Sequence, residues 1–243
     1  MGLLAKKWNE SEINISDCFL FTEGTLNVFK GFYPDYIGAY CLEADIINKI
    51  QDNEEGFFDF SKNMIDIGAS IGEYPVCLDF KENYIFEPNK ELMWVCHANL
   101  ANAGKVYNSH TYEQALSASE GKAIITVNGI YDGDQQCTEF EVETKTLDSY
   151  GFKNVGFIKI DVETFEEKVI RGGLNTIVSN DYPPILFECW RGGYEYEMNG
   201  EHRVFTQEQH DSLYNLLTGL GYIILECWGD FETHLAVHKS HLK

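Results

Sequence analysis

Positive charge is scarce in this chain. Eighteen lysines and arginines stand against 39 aspartates and glutamates, a formal net charge of -21. Nucleic-acid binding depends on basic side chains that displace counterions from phosphates, so such a surface disfavours a nucleic-acid partner, and an anionic membrane surface with it. Long apolar runs are also missing: no window approaches the roughly 18 residues that a membrane-crossing helix needs. The opening stretch MGLLAKKWNESE holds no apolar segment long enough for a signal peptide, and Lys6 stands where N-myristoylation wants Ser or Thr. The expectation is a cytoplasmic protein. The seven cysteines are odd in number and form no C-x-x-C pair, so buried reduced thiols are expected rather than disulfides or a thiolate metal site. Internal repeats, low-complexity tracts and a G-x-G-x-x-G fingerprint are all absent.

What is present suits a single core. With 243 residues, 44% of them hydrophobic, the chain can bury one domain plus a small appendage. Residues 1–55 read as an N-terminal β/α extension packed on the core. They include a Phe-, Tyr- and Gly-rich β element over 11–40 and a helix over Cys41–Gln51, with Leu42, Ile46, Ile47 and Ile50 at helical spacing. Residues 56–243 read as the main domain. There NMIDIG and NYIFE, a strand near Val106, VGFIKID and PPILFE alternate with helices over Tyr74–Phe80, after Pro88-Asn89 and over FEEKVIRGG. Gly104 is placed as a helix stop, and Thr206 with Gln209 forms a capping box. KAIITV and TEFEVET flank a turn and read as an inserted β-hairpin. The pair GYIILECW and THLAVH has no helix between its members, so it must be antiparallel. The predicted fold is therefore α/β: a Rossmann-like, doubly wound, mostly parallel seven-stranded sheet with an antiparallel C-terminal hairpin.

Asp66, Glu87, Asp161 and Glu188 each end a predicted core strand. Ligands of open parallel sheets bind outside the carboxyl ends of the strands, so these four acids would line one crevice. MIDIGASIGEYPV asks why Asp66 is followed by glycines at 68 and 72. Gly68 can take positive φ and let backbone approach a ligand, and Gly72 allows close packing where a helix starts. An aspartate facing that loop would repel a pyrophosphate but suits an ammonium or sulfonium. Glu87 is placed to accept hydrogen bonds from two ribose hydroxyls. A ligand with ribose and cationic character but no phosphate is S-adenosylmethionine. In VGFIKIDVETFEE, Lys159, Asp161 and Glu163 share one side of an extended segment. A lysine there is costly to bury unless Asp161 or Glu163 pairs with it.

These residues resemble the FkbM family of S-adenosylmethionine-dependent methyltransferases. MIDIGASIGEYPV looks like its first motif, YIFEPNKELMWVCHANLANAG like its second-strand motif, ALSASEGKA like its alanine-containing segment, and TKTLDSYGFKNVGFIKIDVETFEEKVIRGG like its most distinctive block. The resemblance spans roughly residues 60–240. It implies a small-molecule hydroxyl acceptor, on a sugar or secondary-metabolite scaffold, for the methyl group. It implies cofactor contacts from Asp66, Gly68, Ala69, Ser70, Gly72, Glu87, Pro88 and Ala115, and catalytic roles for Asp161, Glu163, Lys159 and Glu188, with Asp161 as the base. The same acids could instead hold magnesium. Thr164 stands where the family has glycine, so the turn is expected to differ or Thr164 to face the acceptor pocket.

Two rival readings use the same sheet: a nicotinamide-dependent oxidoreductase, and a non-catalytic cofactor-binding module. DYPP, over Asp181–Pro184, reads as a turn. His234, His238 and His241 read as an edge strand with a solvated tail rather than a metal site. Trp190 and the RGGYEYEMNG segment read either as a sugar-stacking lid or as an ordinary loop. A homo-oligomer is compatible with the sequence.

Overall fold

The computed structural model describes residues 43–131, 134–198, 201–228 and 232–242. Helix α1 (Ala44–Asp52) comes first, followed by β1 (Asn63–Ile67), α2 (Glu73–Cys77), β2 (Asn83–Phe86), α3 (Lys90–Asn102) and β3 (Ser109–Tyr112). A short β4 (Ala115–Leu116) precedes the hairpin of β5 (Gly121–Tyr131) and β6 (Asp134–Lys145). Then come β7 (Val155–Ile160), α4 (Glu166–Arg171), α5 (Leu174–Ser179) and β8 (Ile185–Glu188). A second hairpin, β9 (Tyr194–Met198) and β10 (Glu201–Phe205), leads to α6 (Gln207–Gly219), β11 (Tyr222–Leu225) and β12 (Thr233–His238).

The main sheet has seven strands in the order β11-β12-β8-β7-β1-β2-β3. Strand β12 runs antiparallel to both its neighbours, and the pairings across β8, β7, β1, β2 and β3 are all parallel. This is the expected architecture. The inserted β5–β6 hairpin is present and pairs with β4 in a separate three-stranded sheet.

Strand alternation sorts the core into two layers. Met64, Phe157, Leu186, Leu235 and Val237 face one side, with α1, α2 and α3. Ile65, Ile67, Ile158, Ile160, Ile185 and Phe187 face the other, with α4, α5 and α6. By the same two-residue period, Asp66 and Lys159 fall on the side of α1 to α3, and they are register partners across β1 and β7. Burial of Ile46, Ile47 and Ile50 docks α1 on that side, as its helical spacing requires.

The local signals hold at several ends. Asn89 caps α3 by accepting from the backbone N–H groups of Glu91 and Leu92, Gly104 follows that helix at φ 71°, and the Thr206–Gln209 capping box opens α6. Several expectations need correcting. The helix expected to reach Phe80 stops at Cys77, because the chain turns extended at Leu78 and buries Leu78 and Phe80 in the core. The strand expected near Val106 lies at β3; Val106 and Tyr107 are exposed in a 3-10 turn, with no apolar face to seat in a sheet. Part of RGGYEYEMNG forms β9, not a loop. His234 and His238 lie on a strand between two others rather than at an edge. The β element expected over 11–40 and the turn at Gly229-Asp230 lie outside the described residues.

Candidate active site

The loop after β1 is wound tightly. Gly68 sits at φ 75°, Ser70 at 48° and Gly72 at 82°. A Cβ on Gly68 would lie 1.7 Å from the Asp161 carbonyl oxygen, and one on Gly72 would lie 2.6 Å from Cys96 Sγ of α3. Gly72 therefore serves helix packing, as expected. The close backbone approach at Gly68 is to the end of β7. Gly68 and Ala69 both donate to the Phe86 carbonyl, tying the loop to β2. Glu87 completes the tie: its carboxylate accepts from Ser70 N at 2.9 Å and from Asn89 N at 2.8 Å. Burial pushes Glu87 up to about 7, against the pull of those two hydrogen bonds. Each of its oxygens keeps one further acceptor position. Pro88 is half-buried beside it.

Across the loop stands Lys159, with a side chain only 6% exposed. Its Nζ donates to the Gly68 carbonyl at 2.9 Å, pairs with Asp161 Oδ2 at 3.2 Å, lies 3.8 Å from Asp66 Oδ1, and sits over the Tyr74 ring. Burial opposes its charge, but Asp161, Asp66 and Glu43 outweigh that and hold Lys159 above the ordinary lysine value. Asp66 is fully buried, and neither of its oxygens accepts a hydrogen bond among the described residues. Burial raises it to about 6, with Lys159 opposing and Asp161 reinforcing the shift.

A cavity of about 120 Å³ opens beside this lysine, lined among others by Glu43, Tyr74, Lys159, Asp161, Glu188 and Glu232. Strand alternation does not carry Glu163 there, as the sequence suggested. The strand ends at Ile160, and Glu163 and Thr164 turn the chain at φ 53° and 80°. The turn returns Glu163 to the rim, where one oxygen each of Asp161, Glu163 and Glu188 lie within 4.8 Å of one another. Burial, then the nearby Asp161 and Glu232, raises Glu163 to about 7. Burial with the charges of Asp161, Glu163 and Glu166 pushes Glu188 up to about 10, although the Trp190 indole donates to it at 3.0 Å. Such spacing suits a divalent cation, yet exposed acids sit this close without one, and the comparisons below lend magnesium no support.

Of the expected residues, Lys159, Asp161 and Glu188 line the cavity, with Glu163 at its rim; Asp66, Gly68, Ala69, Ser70, Gly72, Glu87 and Pro88 form the adjoining loop. Ala115 lies in β4, opposite Thr144 of β6. Sequence reasoning missed Glu43, Tyr74, Glu166 and Glu232. Glu166 is buried and accepts from Val162 N at 3.0 Å, bracing the turn, and burial pushes it to about 8. Its one signal was a glutamate in the first turn of a helix. Buried His234 has a structural role: it contacts the Cys189 carbonyl at 3.0 Å and accepts from Cys227 N at 3.1 Å. Cys77, Cys96 and Cys189 are buried reduced thiols as expected, whereas Cys227 is exposed. No described helix is long and apolar enough to cross a membrane.

Comparison with known proteins follows the same outline. Residues 66–224, more than half the chain, match the family described as "Methyltransferase FkbM domain". No curated protein sequence matches. Among solved structures, an FkbM methyltransferase from Methylobacillus flagellatus KT superposes with a TM-score of 0.51 at 18% identity, over 74% of this chain and 44% of that one. The chain thus spans less than half the length of that relative. A protein assigned as a caffeoyl-CoA O-methyltransferase from Staphylococcus aureus superposes with a TM-score of 0.51 at 14% identity, over 88% and 91% of the two chains. At these identities the likeness is one of fold.

Proposed function

Because the chain belongs to the FkbM methyltransferase domain family, we propose that it transfers a methyl group from S-adenosylmethionine to a hydroxyl of a small uncharged polyol, such as a sugar or a hydroxylated secondary metabolite. The observation that carries this reading is the carboxylate-lined cavity, with Lys159 in its wall, beside the glycine loop. Family membership removes the oxidoreductase alternative.

The residues of the loop fit that methyl donor. Asp66 is a buried carboxylate whose oxygens accept no hydrogen bond among the described residues, and Glu87 is oriented with acceptor capacity to spare. Neither suits a pyrophosphate, which needs donors. When bound, S-adenosylmethionine supplies a methyl group already activated on a positively charged sulfur.

What remains for the protein is placement and a proton acceptor. Lys159 fixes Asp161 through their 3.2 Å ion pair. Asp161 takes the proton of the acceptor hydroxyl at its carboxylate, which needs hydrogen-bond reach and little else. Glu188, largely protonated and held by Trp190, donates to a neighbouring oxygen of the acceptor, while Glu163 accepts from another hydroxyl. A pocket with this many carboxylates rejects anionic acceptors. Magnesium held by Asp161, Glu163 and Glu188 is the second reading. Loss of activity with EDTA, restored by magnesium, would favour it.

Calorimetric titration with S-adenosylhomocysteine tests the cofactor assignment. Binding that weakens in both Asp66→Ala and Glu87→Ala supports it, and no binding by the wild type overturns it. With tritiated methyl donor and a panel of neutral sugars, Asp161→Asn is expected to keep cofactor affinity and lose turnover about 100-fold or more. Near-normal turnover would remove Asp161 as the base.

A further inference from the structure

Glu43 precedes the residues that match the family, and Glu232 follows them. Both line the cavity. Helix α1 holds Glu43 in place: its isoleucines are buried in the core, and Lys49 donates to the Trp228 carbonyl at 2.8 Å, with its ammonium over the Trp228 ring. The Tyr74 hydroxyl donates to Glu43 Oε2, and Oε1 accepts no hydrogen bond among the described residues. The anchor is thus rigid, and half of the carboxylate is left for a guest.

Charge gives that placement its meaning. Among the described residues, Glu43, Asp161 and Glu188 share the cavity with one ammonium, Lys159. That ammonium is already committed to Asp161, Asp66 and the Gly68 carbonyl. The carboxylates of Glu43 and Glu188 must then hold protons or meet a second positive charge. The groups facing Glu43 are Tyr74 on α2, Asp66 on β1, Lys159 on β7, Asp161 beyond it, Glu188 on β8, and Glu232 and Thr233 at the start of β12. If the acceptor meets the methyl group in this cavity, the sulfonium carrying that group faces the same carboxylates.

We propose that Glu43 is a further specificity-determining residue of the methyl-transfer site: it makes the site prefer the cationic methyl donor over its uncharged thioether product, by releasing a proton to solvent as the donor's charge enters. This rests on the methyltransferase reading above. Among the cavity acids Glu43 is suited to the exchange. Asp161 is paired with Lys159, and Glu188 keeps its proton to about 10. Burial raises Glu43 to about 7, with Lys159 opposing the shift and Asp161 and Asp66 adding to it, so near neutrality it holds a proton that it can give up.

The test is isothermal calorimetry on the full chain at pH 7, with S-adenosylmethionine and S-adenosylhomocysteine, each in phosphate and in Tris, whose ionisation enthalpies differ. The wild type is expected to release more protons on binding the methionine form than on binding the homocysteine form, and to bind it more tightly. Glu43→Gln, of the same shape, is expected to lower that release and to reduce the preference by about tenfold, the scale of one charge at short range, while the affinity for S-adenosylhomocysteine stays within about twofold. Glu43→Asp, which keeps the charge, should recover part of the preference; recovery separates the charge from any structural role. An unchanged preference and proton release in Glu43→Gln would overturn the proposal, as would equal binding of the two ligands by the wild type. Failure of either ligand to bind any variant would instead sink the methyltransferase reading itself.

Discussion

At Thr164 the backbone takes φ 80°, beside Glu163 at 53°. A β-branched side chain is strained in that region, where glycine is not, and the cost is of the order of 1–3 kcal/mol. Sequence reasoning saw the β-branched residue and expected either a different turn or Thr164 facing the acceptor pocket. The turn is left-handed at both residues; Glu166 braces it from below through Val162 N, and it brings Glu163 back towards Asp161. Thr164→Gly is therefore expected to stabilise the protein by about 1 kcal/mol, after allowing for the extra freedom glycine gains in the unfolded chain. A rise in melting temperature would show it; a fall would mean that the threonine side chain makes a compensating contact. The loop and strand-end acids were legible in the sequence because period-two alternation and glycine spacing are local. Glu43 and Glu232 were not, because nothing near them in the chain states that they meet Lys159.

Helix α1 shows what an element adds. Its isoleucine spacing predicted an amphipathic helix, and the burial of Ile46, Ile47 and Ile50 fulfils it. The spacing could not say which layer the helix would join, and that choice brings Glu43 to the cavity. Ile50→Ala, at a fully buried position, is expected to cost about 2–5 kcal/mol through lost burial and the void left behind. Urea denaturation measures it, and a change below about 1 kcal/mol would mean that α1 contributes little to the core. The antiparallel pairing of the last two strands followed from the helix-free link between them. The β9–β10 hairpin did not, because the glycines, charges and tyrosines of its first half read equally well as loop.

The molecule as a whole holds its acids in one unusual balance. Asp66 is raised to about 6, Glu43, Glu87 and Glu163 to about 7, Glu166 to about 8 and Glu188 to about 10. Carboxyls raised in the folded state bind protons that the unfolded chain has already released above its ordinary value of about 4. Between about pH 4.5 and pH 8 the folded form therefore holds more protons, and stability falls as pH rises. The melting temperature is expected to be higher near pH 5.5 than near pH 8, and self-repulsion from a net charge of -21 acts in the same direction. A melting temperature that climbs over that range would show the cluster to be ionised and compensated.

The position of β12 has a consequence for the order in which the protein is made. This strand lies between β8 and β11, yet it leaves the ribosome after both. Until residues 233–238 emerge, β8 presents an open edge of unpaired backbone groups, and β11 has no neighbour in the main sheet through which to join it. An open edge of that kind invites pairing with other chains. The nascent protein is thus vulnerable between the emergence of β8 and that of β12, and slowing translation just before β12 should lengthen the interval in which a chaperone must guard the β8 edge.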